Sequence, residues 1–192
     1  MKLIPYWHDT APVFSGTEKG PVEGDYDVAV VGGGFTGLSA SLALAKKGAR
    51  VILLEAGRLG GCASGRNGGM CNNGFAQDYA GMVGRLGADV AKRLYQSFNS
   101  AVDTVEQIVR DEAIDCDFKR VGKLKMAAKP AHYDKLARSQ ELMAQGADPD
   151  AYMVSRQDMP SEVGTDRYFG GLIFPRSAAM HMGKFVHGLA SA

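Results

Sequence analysis

The chain has 192 residues, of which 45% are hydrophobic and 22% charged, a profile typical of a globular protein with a core. Lys and Arg number 22 and Asp and Glu number 21, so the formal net charge is only +1. This balance leaves no positive excess to neutralise a nucleic-acid backbone, and we expect no nucleic-acid partner. No apolar run approaches the roughly 20 residues that a membrane span needs, which predicts no transmembrane segment.

The cysteines bear on metal binding and on the redox compartment of the protein. Cys62, Cys71 and Cys116 are an odd number and lack the Cys-x-x-Cys spacing of a zinc or redox site. We therefore expect no metal site and a reduced, cytoplasmic setting, and we interpret Cys62 and Cys71 as small buried residues. The start of the chain is interrupted by Pro5 and lacks the apolar core of a signal peptide.

Residues 1–24 are rich in Pro, Gly, Thr and Glu and follow no sustained period, which predicts an extended arm on the surface. The next segment has the pattern of one β-α-β unit. Residues 27–31 and 51–55 are short apolar runs, typical of strands buried on both faces of a parallel sheet. Between them lie a glycine turn (residues 32–37) and a run of helix formers that ends at Gly48.

The glycine turn, Gly32-Gly33-Gly34-Phe35-Thr36-Gly37, predicts a dinucleotide site. Gly32 permits the tight turn, Gly34 lets the backbone approach a pyrophosphate, and Gly37 lets the helix lie close to the sheet. The first N–H groups of the helix would point at the phosphates. Glu55 closes the second strand, where a carboxylate accepts hydrogen bonds from the adenosine ribose.

Three alternatives stay open on the residues alone. Arg58 is able to accommodate a 2′-phosphate, which would make the cofactor NADP, although Glu55 would repel that phosphate. Pyrophosphate binding does not separate FAD from NAD, so an NAD-dependent dehydrogenase is the second alternative. The third is a non-catalytic nucleotide-binding remnant.

Residues 59–74 are dominated by Gly, Ser, Asn and Cys and predict a loop. Its part from residue 60 to 69, GGCASGRNGG, is here called the glycine-rich loop. Its N–H donors either crowd against a flat or anionic ligand or belong to a mobile surface loop. Arg66 either binds a carboxylate or cofactor oxygen in bidentate fashion or braces the loop.

The remaining sequence alternates predicted helices with strands. Apolar residues at three- and four-residue steps over 86–113 predict one or two amphipathic helices. Further elements are predicted as a strand over 122–128, a helix over 131–145 behind Pro130, a short helix near 156–163, a strand near 168–174 and a helix over 182–192. His181 and His187 are expected to have surface or packing roles.

Three stretches resemble a known family, the D-amino-acid oxidase and glycine oxidase type of FAD-dependent amine oxidoreductases. They are residues 27–40, 54–56 and 63–69, and Ser-Gly-Arg-Asn-Gly-Gly is the most specific part. The match looks like the gamma-glutamylputrescine oxidoreductase branch, which Tyr6-Trp7 and residues 114–118 also resemble.

The resemblance implies an α/β fold with a Rossmann-like FAD/NAD(P)-binding domain, interrupted by an α+β segment of a substrate domain. It implies that a hydride passes from the carbon beside an amine to flavin N5, and that water hydrolyses the imine. The partners would be a small amine, of the gamma-glutamylputrescine type, and oxygen or another electron acceptor. We identify no catalytic residue. The cofactor-binding residues it implies are Gly32, Gly33, Gly34, Phe35, Thr36, Gly37, Glu55, Ala56, Ala63, Ser64, Gly65, Arg66, Asn67 and Gly68.

The domain organisation follows from these elements. We expect an N-terminal arm at 1–24, an FAD-binding β-α-β unit with its flavin loop at 25–80, a helical and strand segment partly belonging to a substrate domain at 81–179, and a truncated crossover helix at 180–192. The family's later strands, which finish the FAD site, have no counterpart in this sequence. We therefore expect this chain by itself to bind FAD weakly and to oxidise no amine.

Overall fold

The computed structural model describes residues 2–192 and divides them into two compact units. Unit 1 consists of residues 2–70, 106–118 and 180–192, and unit 2 of residues 71–105 and 119–179. Among residues 2–192, no helix is long and apolar enough to cross a membrane. The domain boundaries expected from the sequence remain a prediction.

Unit 1 is built on the predicted β-α-β unit. Its elements are α1 (Tyr6–Thr10), β1 (Val28–Val31), α2 (Phe35–Ala45), β2 (Val51–Leu54) and α7 (Met182–Ser191). β1 and β2 pair in parallel, with Val28 opposite Val51 and Val31 opposite Leu54. α2 packs against both strands and against α7, which buries Phe185 and other apolar residues. This arrangement places the turn between β1 and α2 at the carboxyl end of the strands.

Burial of the two strands differs from the expectation. We expected strands buried on both faces, but Val31 is 85% exposed and Leu54 is 36% exposed. The sheet that contains them has only two strands among residues 2–192. The apolar side chains of the two strands are therefore covered on the side where α2 packs and are exposed to solvent elsewhere.

The N-terminal arm also differs from the expectation of an extended surface tail. Residues 6–10 form α1, which begins after Pro5 and packs against α7. A helix of five residues has little stability of its own, because nucleation is unfavourable and few hydrogen bonds repay it. Its tertiary contacts must therefore hold it in place.

Unit 2 combines a three-stranded antiparallel sheet with helices. Its sheet has the order β4-β6-β5, so that β6 is central. Its elements are α3 (Tyr79–Leu86), most of α4 (Ala88–Asp111), β4 (Lys123–Met126), α5 (Pro130–Ala144), β5 (Tyr152–Val154), α6 (Met159–Val163), β6 (Gly171–Phe174) and β7 (Ala178–Ala179). β3 (Met70–Cys71) lies where the two units divide.

Several of these elements refine the sequence prediction. The helical region predicted over 86–113 is one helix, α4. The helix before it, α3, was not predicted, and Gly87 at a φ of 79° separates the two. β5 was not predicted. The predicted loop over 59–74 contains a 3-10 turn (Ala63–Gly65) and β3, so it is more ordered than its composition indicates.

The core of unit 2 contains a polar cluster. Asp148, fully buried, accepts hydrogen bonds at Oδ2 from the Tyr95 hydroxyl (2.7 Å) and from Asn73 Nδ2 (3.1 Å). Asn73 Nδ2 also lies 2.8 Å from Asn99 Oδ1, and Ser177 Oγ donates to Asn73 Oδ1 at 2.8 Å. These bonds link side chains from distant parts of the chain, and such a network fixes one packing arrangement.

Candidate dinucleotide site

The glycine turn has the geometry that its sequence predicts. Gly32 has a φ of 103°, in the region that favours glycine, and its N–H donates to Leu54 O at 2.8 Å. A Cβ at Gly37 would overlap the Gly32 carbonyl oxygen. Only a glycine at position 37 therefore lets α2 lie this close to the end of β1.

The N-terminus of α2 is capped from a distant part of the chain. The residue before the helix, Gly34, has no side chain to cap it, and the Phe35 N–H donates instead to Ser64 Oγ at 3.1 Å. A Cβ at Gly34 would lie 3.1 Å from the same oxygen. The open N–H groups of a helix N-terminus favour an anion, so Ser64 lies where a pyrophosphate would bind.

Glu55 contacts the glycine turn through its carboxylate. Its Oε2 accepts from the Gly33 N–H at 2.7 Å and its Oε1 from the Gly57 N–H at 2.8 Å. These two bonds, with Gly33 first, hold the pKa of Glu55 below its ordinary value. Its carboxylate is therefore ionised at neutral pH and retains lone pairs for a diol.

A cavity of about 480 Å³ joins these features within unit 1. Its volume is in the range of small-molecule sites. Four of the predicted site residues line it, namely Gly34, Glu55, Ser64 and Arg66. The other nine lining residues are Leu3, Ile4, Pro5, His8, Gly57, Arg58, Gly60, Gly61 and Cys62.

The remaining predicted residues support the cavity without lining it. The Phe35 ring packs against Phe185 of α7 at 5.6 Å between centroids, and its backbone N–H donates to Ser64, which lines the cavity. Thr36 and Ala56 are exposed, and Gly65 is buried. Gly32, Gly33, Gly37, Ala63, Asn67 and Gly68 complete the set that does not line the cavity.

The glycine-rich loop is braced from inside. Asn67 Nδ2 donates to Ala63 O (3.1 Å) and to Ser64 O (2.9 Å), and Asn67 Oδ1 accepts from the Gly69 N–H at 2.9 Å. Arg66 Nε donates to Gly61 O at 2.7 Å. Both side chains therefore order the loop, and Arg66 does so from a position on the cavity wall.

One backbone bond ties the glycine-rich loop to the glycine turn, from the Gly60 N–H to Gly33 O at 2.8 Å. Cys62 is exposed on the cavity wall, so our expectation that it is buried is wrong. The reason is that the loop turns this side toward the cavity. Cys71 is half-buried, and burial raises the pKa of its thiol.

No pattern in the sequence predicted that the N-terminal residues line this cavity. His8 Nε2 lies 3.1 Å from Gly60 O, and the Trp7 indole donates to Asn67 O at 2.6 Å. In the sequence, Tyr6-Trp7 contributes only to the family resemblance. A proline- and glycine-rich arm has no period that would have predicted contact with residues 60 positions later.

The site fits a dinucleotide on its own geometry. Gly34 places no side chain at the helix N-terminus, Ser64 adds a hydroxyl there, and an ionised Glu55 lies beside the same turn. A pyrophosphate and a ribose diol need these groups. The arrangement does not by itself distinguish FAD from NAD.

Comparison with known proteins makes that distinction. The model of the DAO family, described as FAD dependent oxidoreductase, matches residues 27–192. The chain belongs to this family. Membership confirms the predicted family and α/β fold class and confirms FAD as the cofactor, which the geometry left open.

Two curated relatives of this FAD dependent oxidoreductase chain are 34% identical to it. A probable oxidoreductase, OrdL, of Haemophilus influenzae aligns over 167 residues, 86% of the chain and 38% of the relative. The gamma-glutamylputrescine oxidoreductase of Escherichia coli aligns over 163 residues, 85% of the chain and 37% of the relative. The chain thus spans well under half the length of these relatives and corresponds to their N-terminal portion.

Solved structures share the fold at lower identity. Glycine oxidase from Geobacillus kaustophilus has a TM-score of 0.64 and 21% identity, over 86% of the chain and 43% of that structure. L-Amino acid deaminase from Proteus myxofaciens has a TM-score of 0.72 and 16% identity, over 93% of the chain and 38% of that structure. These structures support the fold and say nothing further about this chain's substrate.

Proposed function

We propose that this chain forms the pyrophosphate- and ribose-binding part of an FAD-dependent oxidoreductase that acts on an amine. The observation that carries the proposal is the convergence of Ser64, Glu55 and the N-terminus of α2 at one cavity. These groups come from three separate segments of the chain. A glycine turn with only a packing role would not require them to lie at one cavity.

Each group has a distinct role in this proposal. Gly34, the N-terminus of α2 and the Ser64 hydroxyl would bind the pyrophosphate, and Glu55 would accept hydrogen bonds from the adenosine ribose. The negative charge of Glu55 would repel a 2′-phosphate. Arg58 is partly engaged elsewhere, since its guanidinium donates to His8 O at 3.2 Å.

The other residues of the predicted set support this binding. Gly32, Gly33, Thr36 and Gly37 shape the turn and the first turn of α2. Ala56, Ala63, Gly65, Arg66, Asn67 and Gly68 belong to the two segments that carry Glu55 and Ser64. When bound, FAD supplies the hydride acceptor for oxidation of the carbon beside an amine. The chain's own task is to bind and orient it.

The substrate proposal rests on the relative named gamma-glutamylputrescine oxidoreductase, with which 34% of the aligned residues are identical. It supports an amine of the gamma-glutamylputrescine type, with oxygen or another acceptor taking the electrons. The cytoplasmic setting indicated by the free cysteines is proposed alongside it.

An anaerobic titration of the FAD-loaded protein tests this function. Amines, 2-hydroxy acids and aldehydes would be compared on the 192-residue chain and on a form extended to the length of its relatives. We expect amines to bleach the flavin absorbance of the extended form and air to restore it. Bleaching by a hydroxy acid alone would refute the amine substrate and leave the cofactor proposal intact, whereas failure of both forms to bind FAD would refute the cofactor site.

A further inference from the structure

The N-terminal segment, residues 3–10, is joined to the glycine-rich loop by two neighbouring side chains of α1. The Trp7 indole donates to Asn67 O at 2.6 Å, and His8 Nε2 lies 3.1 Å from Gly60 O. These partners lie toward the two ends of the loop. α1 therefore contacts the loop near both of its ends.

Two glycines of the loop leave the space that these side chains fill. A Cβ at Gly65 would overlap the His8 imidazole, and a Cβ at Gly69 would lie 2.7 Å from the Trp7 ring. Part of the glycine content of the loop is thus explained by the packing of α1. Glycines that are typical of a ligand-binding loop therefore also make room for the side chains of α1.

α7 holds α1 from another side. A Cβ at Gly183 would overlap the Trp7 carbonyl oxygen. The backbone of α1 therefore lies in the space that a side chain at position 183 of α7 would occupy. The Trp7 ring lies 4.9 Å from the His181 ring, and Thr10 Oγ1 lies 2.8 Å from His181 Nε2. α1 is therefore packed between the loop and α7.

The same segment forms part of the cavity wall. Leu3 and Ile4 are 85% and 51% exposed and line the cavity that contains Glu55. Arg58, on the same wall, donates to His8 O at 3.2 Å. The segment thus contacts the loop and Arg58, three residues after the ribose-binding Glu55, and it lines the cavity itself.

We propose that the N-terminal segment is a positioning element of the dinucleotide site. By bracing the glycine-rich loop, α1 keeps Ser64 at the N-terminus of α2, where the loop completes the pyrophosphate site. The cofactor role of the segment rests on the proposed function, whereas its hold on the loop does not.

The test compares variants that detach α1 from the loop and from α7. Trp7→Phe removes the indole donor, His8→Ala removes the imidazole, and Gly183→Ala displaces α1 without changing any loop residue. For each, hydrogen exchange of the loop amides would be measured by mass spectrometry on the full chain. FAD affinity would be measured on the same samples by quenching of flavin fluorescence, with circular dichroism to confirm folding.

Matched controls are available for both kinds of substitution, a side-chain change in α1 and a glycine change in a helix. Asp9→Asn lies on α1 and removes an exposed ion pair with Lys2. Gly84→Ala is a glycine substitution in a helix where a Cβ meets nothing within 4 Å. We expect both controls to exchange and bind FAD as the unaltered chain does, while each test variant exchanges its loop amides several-fold faster and binds FAD several-fold more weakly.

The chain has a single tryptophan, so the emission of Trp7 reports directly on α1. Gly183→Ala should shift that emission to longer wavelength as the indole becomes more exposed. Unchanged loop exchange in all three variants would overturn the proposal. Faster exchange with unchanged FAD affinity would overturn the positioning role and leave the cofactor site standing. If the unaltered chain and its extended form bind no FAD, the proposed function fails, and with it the cofactor role of α1.

Discussion

The imidazole of His181 packs against the indole of Trp7 with 4.9 Å between ring centroids and 65° between the ring planes. His181 also caps α7, because its Nδ1 accepts from the Lys184 N–H at 3.2 Å. An unprotonated Nδ1 leaves the proton on Nε2, which then donates to Thr10 Oγ1 at 2.8 Å. The neutral imidazole thus links the start of α7 to α1.

Acid should loosen this link. Burial, followed by the charge of Lys184, holds the pKa of His181 below 6.5. The unfolded chain therefore binds this proton more readily, so the stability that His181 contributes is present above pH 6.5 and is lost as pH falls through the folded pKa.

Trp7 fluorescence measures this titration, since a protonated imidazole beside an indole quenches it. We expect emission to fall as the pH drops below 6.5. His181→Asn keeps an acceptor at the N-cap position and removes the proton site. A fall of equal size in His181→Asn would show that another group causes it.

Replacement of Gly34 by Val should abolish FAD binding in a folded protein. A Cβ there would lie 3.1 Å from Ser64 Oγ, and the added methyl groups would push Ser64 away and occupy the pyrophosphate space. Isothermal titration with FAD measures the effect, and Ala40→Val, on the exposed side of the same helix, is the control. Unchanged affinity in a folded Gly34→Val variant would remove this turn from the site.

Replacement of Glu55 by Ala should weaken FAD binding about 10- to 100-fold, the effect of losing hydrogen bonds to a charged group. Glu55→Gln keeps one acceptor oxygen and should lose less. Because Glu55 also accepts from Gly33 and Gly57, thermal unfolding would be followed alongside binding. A change of less than about twofold in Glu55→Ala would place the ribose elsewhere.

In unit 2, Lys123 should make stability rise with pH. Its Nζ donates to Asn73 O at 2.6 Å and lies 4.4 Å from the centre of the Phe174 ring. Burial, followed by the charge of Lys125, lowers the pKa of Lys123 from 10.5 to about 8. The unfolded chain therefore binds more protons between pH 8 and 10.5, and folding stability increases through that window.

Denaturant unfolding of the unaltered chain and of Lys123→Met, at several pH values, measures this effect. We expect the stability of the unaltered chain relative to the variant to rise by an amount on the order of 2 kcal/mol across the window. Lys2→Met, at an exposed position, is the control. Parallel pH curves for the chain and Lys123→Met would mean that Lys123 titrates normally in the fold.

The sequence alone determined those turns and helices whose formation depends on residues close together in the chain. Gly32 and Gly37 predicted the turn and the close approach of α2, because Gly32 has a positive φ and a Cβ at Gly37 would overlap the Gly32 carbonyl oxygen. Pro130 marked the start of α5, and the apolar period marked α4. These choices depend on neighbours within a few residues, so the sequence carries them without the fold.

Other features depended on contacts between distant segments. α1 has too few residues to be stable alone, and it exists because Trp7 and His8 dock on a loop and on α7. Polar and apolar residues alternate along β4. This pattern does not show that Phe174, opposite Lys123 on the neighbouring strand β6, covers the Lys123 side chain. The composition of the glycine-rich loop likewise allows it to face either a ligand or solvent. Its contacts with α1, with Gly33 and with the N-terminus of α2 decide that it lies beside the cavity, because the free energy that orders a loop comes from its tertiary partners and not from its own composition.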